Sequence, residues 1–82
     1  MWYVYILKCS DNTLYTGITN NLEKRIQAHN IGKGAKYTRG RGPVTLEVSF
    51  EFETKGLALK EEYRIKQLTR ENKFKLINKH YE

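Results

Sequence analysis

The stretch WYVYILKCSDNTLYTGI, residues 2–18, decides the fold. Trp2 to Leu7 is an aromatic and β-branched run typical of a strand, and Leu14 to Ile18 is a second run of the same kind. Turn-forming residues 10–12 lie between them, so the stretch predicts a β-hairpin. With so short a loop, Tyr5 and Tyr15 lie on one face as diagonal neighbours whose long side chains can meet.

The segment that follows, Thr19 to Asn30, predicts a helix. Asn20 and Glu23 have the spacing of a capping pair, and Gly32 is suited to ending the helix. The rotation of about 100° per residue places two chemically interesting side chains, Arg25 and His29, on or beside the apolar face. The apolar residues of that face are Leu22 and Ile26.

An arginine beside the apolar face of a helix needs a partner. Its guanidinium is costly to bury unless it meets an anion, and its planar fork suits a phosphate. A carboxylate at the edge of the core, or extension of Arg25 to solvent, would satisfy it equally well. His29 has an ordinary pKa of about 6.5, which allows proton transfer at cellular pH, although a hydrogen-bonded structural histidine fits the same position.

The rest of the chain supplies a loop, a strand and two helices. Residues 31–43 contain four glycines and the single proline, which predicts a flexible basic loop. Val44 to Glu53 alternates apolar and polar residues without a break, which predicts a strand with one buried and one wet face. Thr54 to Leu68, with Thr54 as cap, and Thr69 to Asn78 predict helices. The order ββαβαα indicates an α/β (α+β) fold, a three-stranded and largely antiparallel sheet flanked by helices.

Two adjacent glutamates, Glu61 and Glu62, lie in the middle of the helix predicted for residues 54–68. A helical wheel places Glu61 within the apolar arc and Glu62 on its flank; the arc consists of Leu57, Ala58, Ile65 and Leu68. Mg²⁺ is often held by one or two carboxylates together with water and phosphate oxygens. Either glutamate could anchor such an ion, and periodicity does not choose between them.

Length and charge limit the function further. Eighty-two residues predict a single domain over residues 1–82 with a modest core. Fifteen Lys and Arg against nine Asp and Glu give a net charge of +6, which favours a polyanionic partner. The sequence has one cysteine and no zinc-ligand spacing, and no targeting segment or membrane span is recognisable in it. These features predict a cytoplasmic protein. The loop residues suited to a nucleic-acid backbone are Lys33, Lys36, Tyr37, Arg39 and Arg41.

The order and spacing of these motifs resemble the GIY-YIG nuclease superfamily. Tyr3-Val4-Tyr5 stands in place of GIY, and Tyr15-Thr16-Gly17 in place of YIG. The match continues through residues 19–30 and 58–63, where the family's arginine and its metal-binding glutamate fall on Arg25 and Glu62. More narrowly, nearly the whole chain resembles the small stand-alone YhbQ-like (UPF0213) branch of that superfamily.

The resemblance implies a GIY-YIG-like fold and a metal-dependent DNA endonuclease that hydrolyses phosphodiester bonds, as in DNA repair. Tyr5 and Tyr15 would position or activate the attacking water, and His29 would assist as proton acceptor. Arg25 would hold the scissile phosphate, and Glu62 would bind one Mg²⁺ or Mn²⁺ ion. The implied partner is DNA, with branched and single-stranded forms among the candidates, and no small-molecule cofactor or membrane is expected.

Two positions depart from the family pattern. Tyr3 replaces the first glycine, and Ile18 replaces the lysine that often follows YIG in repair members. A non-catalytic nucleic-acid-binding module that retains the fold is therefore an alternative. A protein-interaction domain that uses the strand predicted for residues 44–53 is a third hypothesis.

Overall fold

A three-stranded antiparallel sheet lies at the centre of the computed structural model, which describes residues 1–80. Its strands are β1 (Trp2–Lys8), β2 (Leu14–Thr19) and β3 (Thr45–Phe52), in the order β2-β1-β3. In the β1–β2 pair, Tyr5 lies opposite Gly17 and Leu7 opposite Tyr15. Tyr5 and Tyr15 are therefore diagonal neighbours on one face, as the hairpin predicted.

Helices cover both faces of this sheet. Helix α1 (Leu22–Asn30) packs on the face that carries Tyr5, where Leu22 and Ile26 contact a cluster containing Tyr5 and Leu7. Helices α2 (Lys55–Lys66) and α3 (Arg70–His80) pack on the other face, over a core of Val4, Ile6, Val48, Ala58, Ile65 and Ile77. This arrangement confirms the predicted α+β fold, and it places both tyrosines of the hairpin against α1.

Strand β3 departs from the prediction of one continuous buried face. Ile6 pairs with Val48, but the next residue, Leu7, pairs with Leu46, so Glu47 is an extra residue in a bulge. An extra residue inverts the alternation of side chains along a strand. Leu46 consequently packs on the α1 side of the sheet, whereas Val48 packs on the α2 and α3 side. The predicted single face is therefore wrong for the first part of the strand.

The start of α1 also differs from the prediction. Asn21 is the cap, and its Oδ1 accepts a hydrogen bond of 3.1 Å from the backbone N–H of Lys24. The predicted cap, Asn20, is exposed and lies one residue too early, because Thr19 still belongs to β2. Gly32, with φ of 80°, follows the end of the helix as expected.

Helix α2 begins as predicted but buries a narrower face. Thr54 caps it by accepting a 3.2 Å hydrogen bond from the N–H of Leu57. Ala58 and Ile65 are buried, but Leu57 is 48% exposed and does not belong to the apolar arc that the sequence indicated. Among residues 1–80, no helix combines the length and the apolar character needed to cross a membrane.

The glycine-rich segment between α1 and β3 is folded onto the rest of the molecule rather than forming a free loop. It contains a short 3₁₀ turn, Lys36–Thr38, in which Thr38 is buried. The carbonyl of Arg41 accepts a 2.8 Å hydrogen bond from the N–H of Ser10, and the Arg41 guanidinium pairs with Asp11 at 2.6 Å. These contacts fix the segment against the hairpin loop between β1 and β2.

Candidate active site

Four side chains that the sequence singled out meet between β1, β2 and α1. The ring centroids of Tyr5 and Tyr15 are 6.2 Å apart, and His29 lies 5.9 Å from the first ring and 5.1 Å from the second. The Tyr5 hydroxyl and the His29 Nε2 atom are 3.0 Å apart, within hydrogen-bond distance. Arg25, one helical turn before His29, interacts with both tyrosine hydroxyls.

Tyr5 is a fully buried phenol, with no exposed surface. Burial raises its pKa to about 12, and the neighbouring Arg25 only partly offsets that effect. The negative charge of Glu62, on α2, makes a smaller contribution to the same increase. Tyr5 is therefore a neutral hydrogen-bond donor at physiological pH.

Arg25 is half-buried beside the two tyrosines of the cluster. Its interaction with the Tyr5 hydroxyl raises the pKa of the guanidinium, which stays charged. Within residues 1–80 no carboxylate forms an ion pair with Arg25, so the salt bridge considered from the sequence is not formed there. Arg25 is also one of the residues that line a surface cleft of about 190 Å³.

His29 is buried, and both of its ring nitrogens have partners. Nε2 faces the Tyr5 hydroxyl, and Nδ1 lies 2.7 Å from the Oγ1 atom of Thr38. Burial lowers the pKa of His29, and the nearby charge of Arg25 lowers it further, so the ring is neutral at physiological pH. Thr38 could not be recognised as a partner of His29 from the sequence, because it lies in a segment without periodicity.

Gly17 makes room for the Tyr5 ring. A Cβ atom at this position would lie 2.7 Å from the Tyr5 hydroxyl oxygen and 2.9 Å from its Cζ atom. The glycine of Tyr15-Thr16-Gly17 is thus required by a close approach of side chains across the β1–β2 pair. A glycine inside a strand is a sequence signal for such an approach.

The two glutamates of α2 have different surroundings. Glu61 pairs with Arg64, one turn further along the helix. Glu62 lies 3.4 Å from Lys66, and its side chain is 18% exposed against 24% for Glu61. The wheel prediction that Glu61 lies deeper is therefore wrong. Of the two glutamates, only Glu62 contributes to the pKa of Tyr5.

The surroundings of Glu62 bear on the kind of metal site that the chain could form. Among the described residues 1–80, no group of three or more His, Cys, Asp or Glu side chains could enclose a metal. The described residues therefore offer no site made entirely of protein ligands, as structural zinc requires. A Mg²⁺ ion that keeps most of its waters needs only one or two carboxylates together with phosphate oxygens. Glu62 can supply one such carboxylate.

The basic segment after α1 divides into two groups. Tyr37 stacks on Tyr15, with centroids 6.0 Å apart, and the Arg41 guanidinium lies 4.7 Å from the Tyr37 ring centroid. These two residues adjoin the cluster, whereas Lys33, Lys36 and Arg39 are exposed and do not enter it. A cleft of about 320 Å³ lies beside Tyr37, and its lining includes Tyr15, Thr16, Lys66 and Lys73. Neither of the two lysines of this cleft was predicted from the sequence.

A family model described as the GIY-YIG catalytic domain matches residues 1–75 of this chain. The chain belongs to the GIY-YIG family. It is 68% identical over 79 residues to a UPF0213 protein of Clostridium perfringens, covering 95% of this chain and 84% of that protein. It is 50% identical over 76 residues to the UPF0213 protein YhbQ of Escherichia coli, covering 93% of this chain and 76% of that protein.

A solved structure supports the same relationship. The solution NMR structure of a UPF0213 protein of Bacillus halodurans matches with a TM-score of 0.62 at 48% identity, covering 95% of this chain and 84% of that one. The predicted resemblance to the UPF0213 branch of the GIY-YIG superfamily is confirmed. GIY-YIG proteins form a nuclease-type family, so the chain carries a nuclease-type domain.

One departure from the GIY-YIG pattern has a structural consequence. Ile18, at the position that is often lysine, points to the face opposite Tyr15 and packs against the core under α2 and α3. This chain thus has an apolar side chain and not a cation at this position on the α2 side of the sheet. Lys66 supplies a positive charge on that side, next to Glu62.

Proposed function

We propose that this GIY-YIG protein is a metal-dependent endonuclease that hydrolyses phosphodiester bonds in DNA. The observation that carries the proposal is a charged Arg25 without an acidic partner in the described chain, held against the buried Tyr5–His29 pair. A permanent cation beside a neutral proton donor and a neutral imidazole is suited to a substrate that brings its own negative charge.

Arg25 is the residue that binds the scissile phosphate. Its guanidinium can donate two parallel hydrogen bonds to phosphate oxygens, and its charge offsets the charge that develops there during attack. Because Tyr5 has no exposed surface, substrate meets Arg25 and the half-buried Tyr15 first. For the attacking water to reach the Tyr5 hydroxyl, Arg25 would have to turn from that hydroxyl towards the phosphate.

The tyrosines and His29 manage the proton of that water. A phenol with a pKa of about 12 is a poor base by itself, but Tyr5 can accept a proton as it passes its own to His29. The neutral His29 ring, 3.0 Å from the Tyr5 hydroxyl, is in the state that accepts a proton. Tyr15 lies beside both rings and would orient the water.

Glu62 is the residue that would hold a divalent ion, Mg²⁺ or Mn²⁺, in place of its ion pair with Lys66. When bound, such an ion supplies Lewis-acid stabilisation to the phosphate and to the leaving oxygen. Because Glu62 would contribute a single carboxylate, the other ligands of the ion would be water and the DNA phosphate. Lys66, released from Glu62, would then be available to the DNA backbone.

The test is cleavage of labelled branched, flapped, single-stranded and duplex DNA, with Mg²⁺ and with EDTA. We expect cleavage only with the metal, and a loss of about 10²–10³-fold for Arg25→Ala, as for removal of one positioned donor. Arg25→Lys, which keeps the charge but not the fork, should recover only part of that loss. Glu62→Gln should be inactive, and Glu61→Gln, whose native partner is Arg64, should retain wild-type activity.

The complete burial of Tyr5 favours a second candidate function, a nucleic-acid-binding module without catalysis. That function predicts salt-sensitive DNA binding and no metal-dependent product with any of the four substrates. Metal-dependent cleavage that disappears in the Tyr5→Phe protein would exclude it. Cleavage that persists undiminished in the Arg25→Ala and Glu62→Gln proteins would instead refute the site proposed above.

A further inference from the structure

The segment from Gly34 to Thr38 closes around the ring of His29. Thr38 ends the 3₁₀ turn and is 1% exposed, and its Oγ1 atom lies 2.7 Å from the Nδ1 atom of His29. On the other side of the ring, Nε2 faces the Tyr5 hydroxyl at 3.0 Å. The segment that the sequence indicated as a basic nucleic-acid contact thus also contains the buried polar partner of the histidine.

The hydrogen bonds of Thr38 determine where the His29 proton lies. The Thr38 hydroxyl has one proton, and its Oγ1 atom lies 2.9 Å from the carbonyl oxygen of Ala35, which can only accept. With that proton given to Ala35, the Thr38 oxygen is an acceptor towards Nδ1, so Nδ1 must carry the hydrogen. The backbone N–H of Ala35 also points at Nδ1 as a donor, at 3.5 Å, and would favour an unprotonated Nδ1. This contact is at the limit of a hydrogen bond, so it competes only weakly with the 2.7 Å contact to Thr38.

We propose that Thr38 is a positioning residue that keeps the proton of His29 on Nδ1, and that Gly34 provides the space for this contact. The unprotonated Nε2 then points at the Tyr5 hydroxyl. The partner of one imidazole nitrogen generally sets which nitrogen carries the proton. The proposal rests on the proposed nuclease function for its catalytic consequence, but the position of the proton is a property of the free protein.

Gly34 is required because of the His29 ring itself. A Cβ atom at Gly34 would lie 2.6 Å from the ring atom Cγ and 2.8 Å from the Cα of His29, and it would overlap Nδ1. Unlike Gly32 and Gly40, Gly34 does not have a positive φ, so backbone conformation does not explain this glycine. Any larger residue would push the ring away from Thr38, from Tyr5 or from both.

The proposed tautomer gives a balanced proton path. As the water oxygen bonds to phosphorus, one water proton moves to the Tyr5 oxygen and the Tyr5 proton moves to Nε2 of His29. The phosphorus–oxygen bond of the leaving group breaks, and the leaving oxygen takes a proton from solvent. The imidazolium donates Nε2–H to Tyr5 and Nδ1–H to Thr38, and afterwards it returns its extra proton to solvent. With the proton on Nε2 at the outset, the Tyr5 proton would have no acceptor.

The direct test is the ¹⁵N NMR spectrum of the imidazole rings in the free protein, with His29→Gln used to assign the signals. In the wild type we expect Nδ1 to be protonated and Nε2 to be unprotonated at neutral pH. Thr38→Ser, which keeps the hydroxyl, should retain that state. Thr38→Val, which has the same shape without the hydroxyl, should move a large share of the proton to Nε2. A wild-type proton on Nε2, or an unchanged tautomer in Thr38→Val, would overturn the proposal.

Turnover supplies the second readout. Thr38→Val and Gly34→Ala should lower kcat about 10²-fold or more, the lower end of what positioned acid–base groups contribute, with little change in DNA affinity. Thr38→Ser should restore most of the rate. Gly42→Ala is the matched glycine control, because its Cβ would only reach an ordinary contact of 3.7 Å with the carbonyl oxygen of Asn30. If the wild type cleaves no DNA, the proposed function fails, while the NMR result still decides the role of Thr38.

Discussion

Tyr5 is fully buried, and its hydroxyl nevertheless belongs to the candidate site. Its ring belongs to the apolar cluster under α1, and its oxygen lies 3.0 Å from His29. A buried phenol resists ionisation because the charged form loses its hydration, which is why its pKa is raised to about 12. The same residue therefore connects the stability of the fold to the chemistry of the site.

This raised pKa predicts how stability depends on alkaline pH. Above about pH 10 the unfolded chain releases the Tyr5 proton while the folded chain retains it, so the free energy of unfolding falls as pH rises. The Tyr5 contribution to that fall reaches about 1 kcal/mol near pH 11 and about 2–3 kcal/mol near pH 12. Urea unfolding at about pH 9 and about pH 11 should show a smaller fall for Tyr5→Phe than for wild type.

The control for that measurement is Tyr63→Phe, which removes a hydroxyl that is largely exposed on α2. Titration of the other tyrosines and of the lysines affects both variants alike and cancels in the comparison. Tyr63→Phe should follow the wild-type curve. An equal pH dependence in Tyr5→Phe and wild type would mean that burial does not hold the Tyr5 proton.

Gly17 gives a prediction about packing at the same site. In Gly17→Ala the new methyl group would overlap the Tyr5 hydroxyl and would lie 3.0 Å from Cε1 of Tyr15. Overpacking of this kind destabilises by about 1–3 kcal/mol, and the displaced Tyr5 should also lose its contact with His29. Gly56→Ala near the start of α2, with no neighbour nearer than 4.0 Å, should instead stabilise by about 0.5–1 kcal/mol. Urea unfolding of the two variants checks both signs.

At the scale of elements, the cap of α1 is a single hydrogen bond that can be tested against its neighbour. Asn21→Ala removes the acceptor of the Lys24 N–H and should lower the free energy of unfolding by about 1 kcal/mol. Asn20→Ala, at the position that the sequence favoured, should stay within about 0.5 kcal/mol of wild type. The reverse order of the two effects would show that the helix begins one residue earlier.

The sequence could predict the position of an element where a local pattern determines it. The hairpin followed from two apolar runs and a turn, and the start of α2 followed from Thr54. The bulge at Glu47 could not be predicted, because the alternation of residues 44–53 is unbroken in the sequence. Only the pairing of β3 with β1 determines where an extra residue interrupts the register, and pairing between distant segments leaves no local signal.

The residues of the candidate site likewise fall into those that could be predicted from the sequence and those that could not. Tyr5, Tyr15, Arg25 and His29 could be grouped from hairpin geometry and helical periodicity, since both are local. The depth of Glu61 and Glu62 could not be predicted, because the wheel included Leu57, which is exposed in the folded chain, and Leu68, which lies beyond the end of α2. Without these two residues the buried arc centres near Ala58 and Ile65, and the two glutamates flank it on either side. Thr38 and Gly34 reach His29 only through the tertiary fold of an aperiodic segment.

At the scale of the whole molecule, the distribution of ion pairs decides which cations remain for a polyanion. Several of the fifteen Lys and Arg side chains form local ion pairs, including Arg41 with Asp11 and Lys66 with Glu62. Lys36 and Lys73 take part in no ion pair of the described residues. Lys36 begins the 3₁₀ turn next to Tyr37, and Lys73 lines the cleft beside Tyr37, so both are placed near the candidate site.

Charge alone and charge position therefore make different predictions for DNA binding. Each phosphate contact contributes about −0.7 to −0.9 to the slope of log K against log salt concentration. Lys36→Gln and Lys73→Gln should each reduce the magnitude of that slope by about this amount. Lys55→Gln is the control, because it makes the same change in net charge at the far end of β1, where Lys55 lies 5.3 Å from the ring centroid of Trp2. The slopes are measured by titrating a fluorescent single-stranded DNA and a fluorescent duplex DNA at several salt concentrations. Equal slopes for the three variants would show that DNA binding depends on the total charge and not on the position of Lys36 and Lys73.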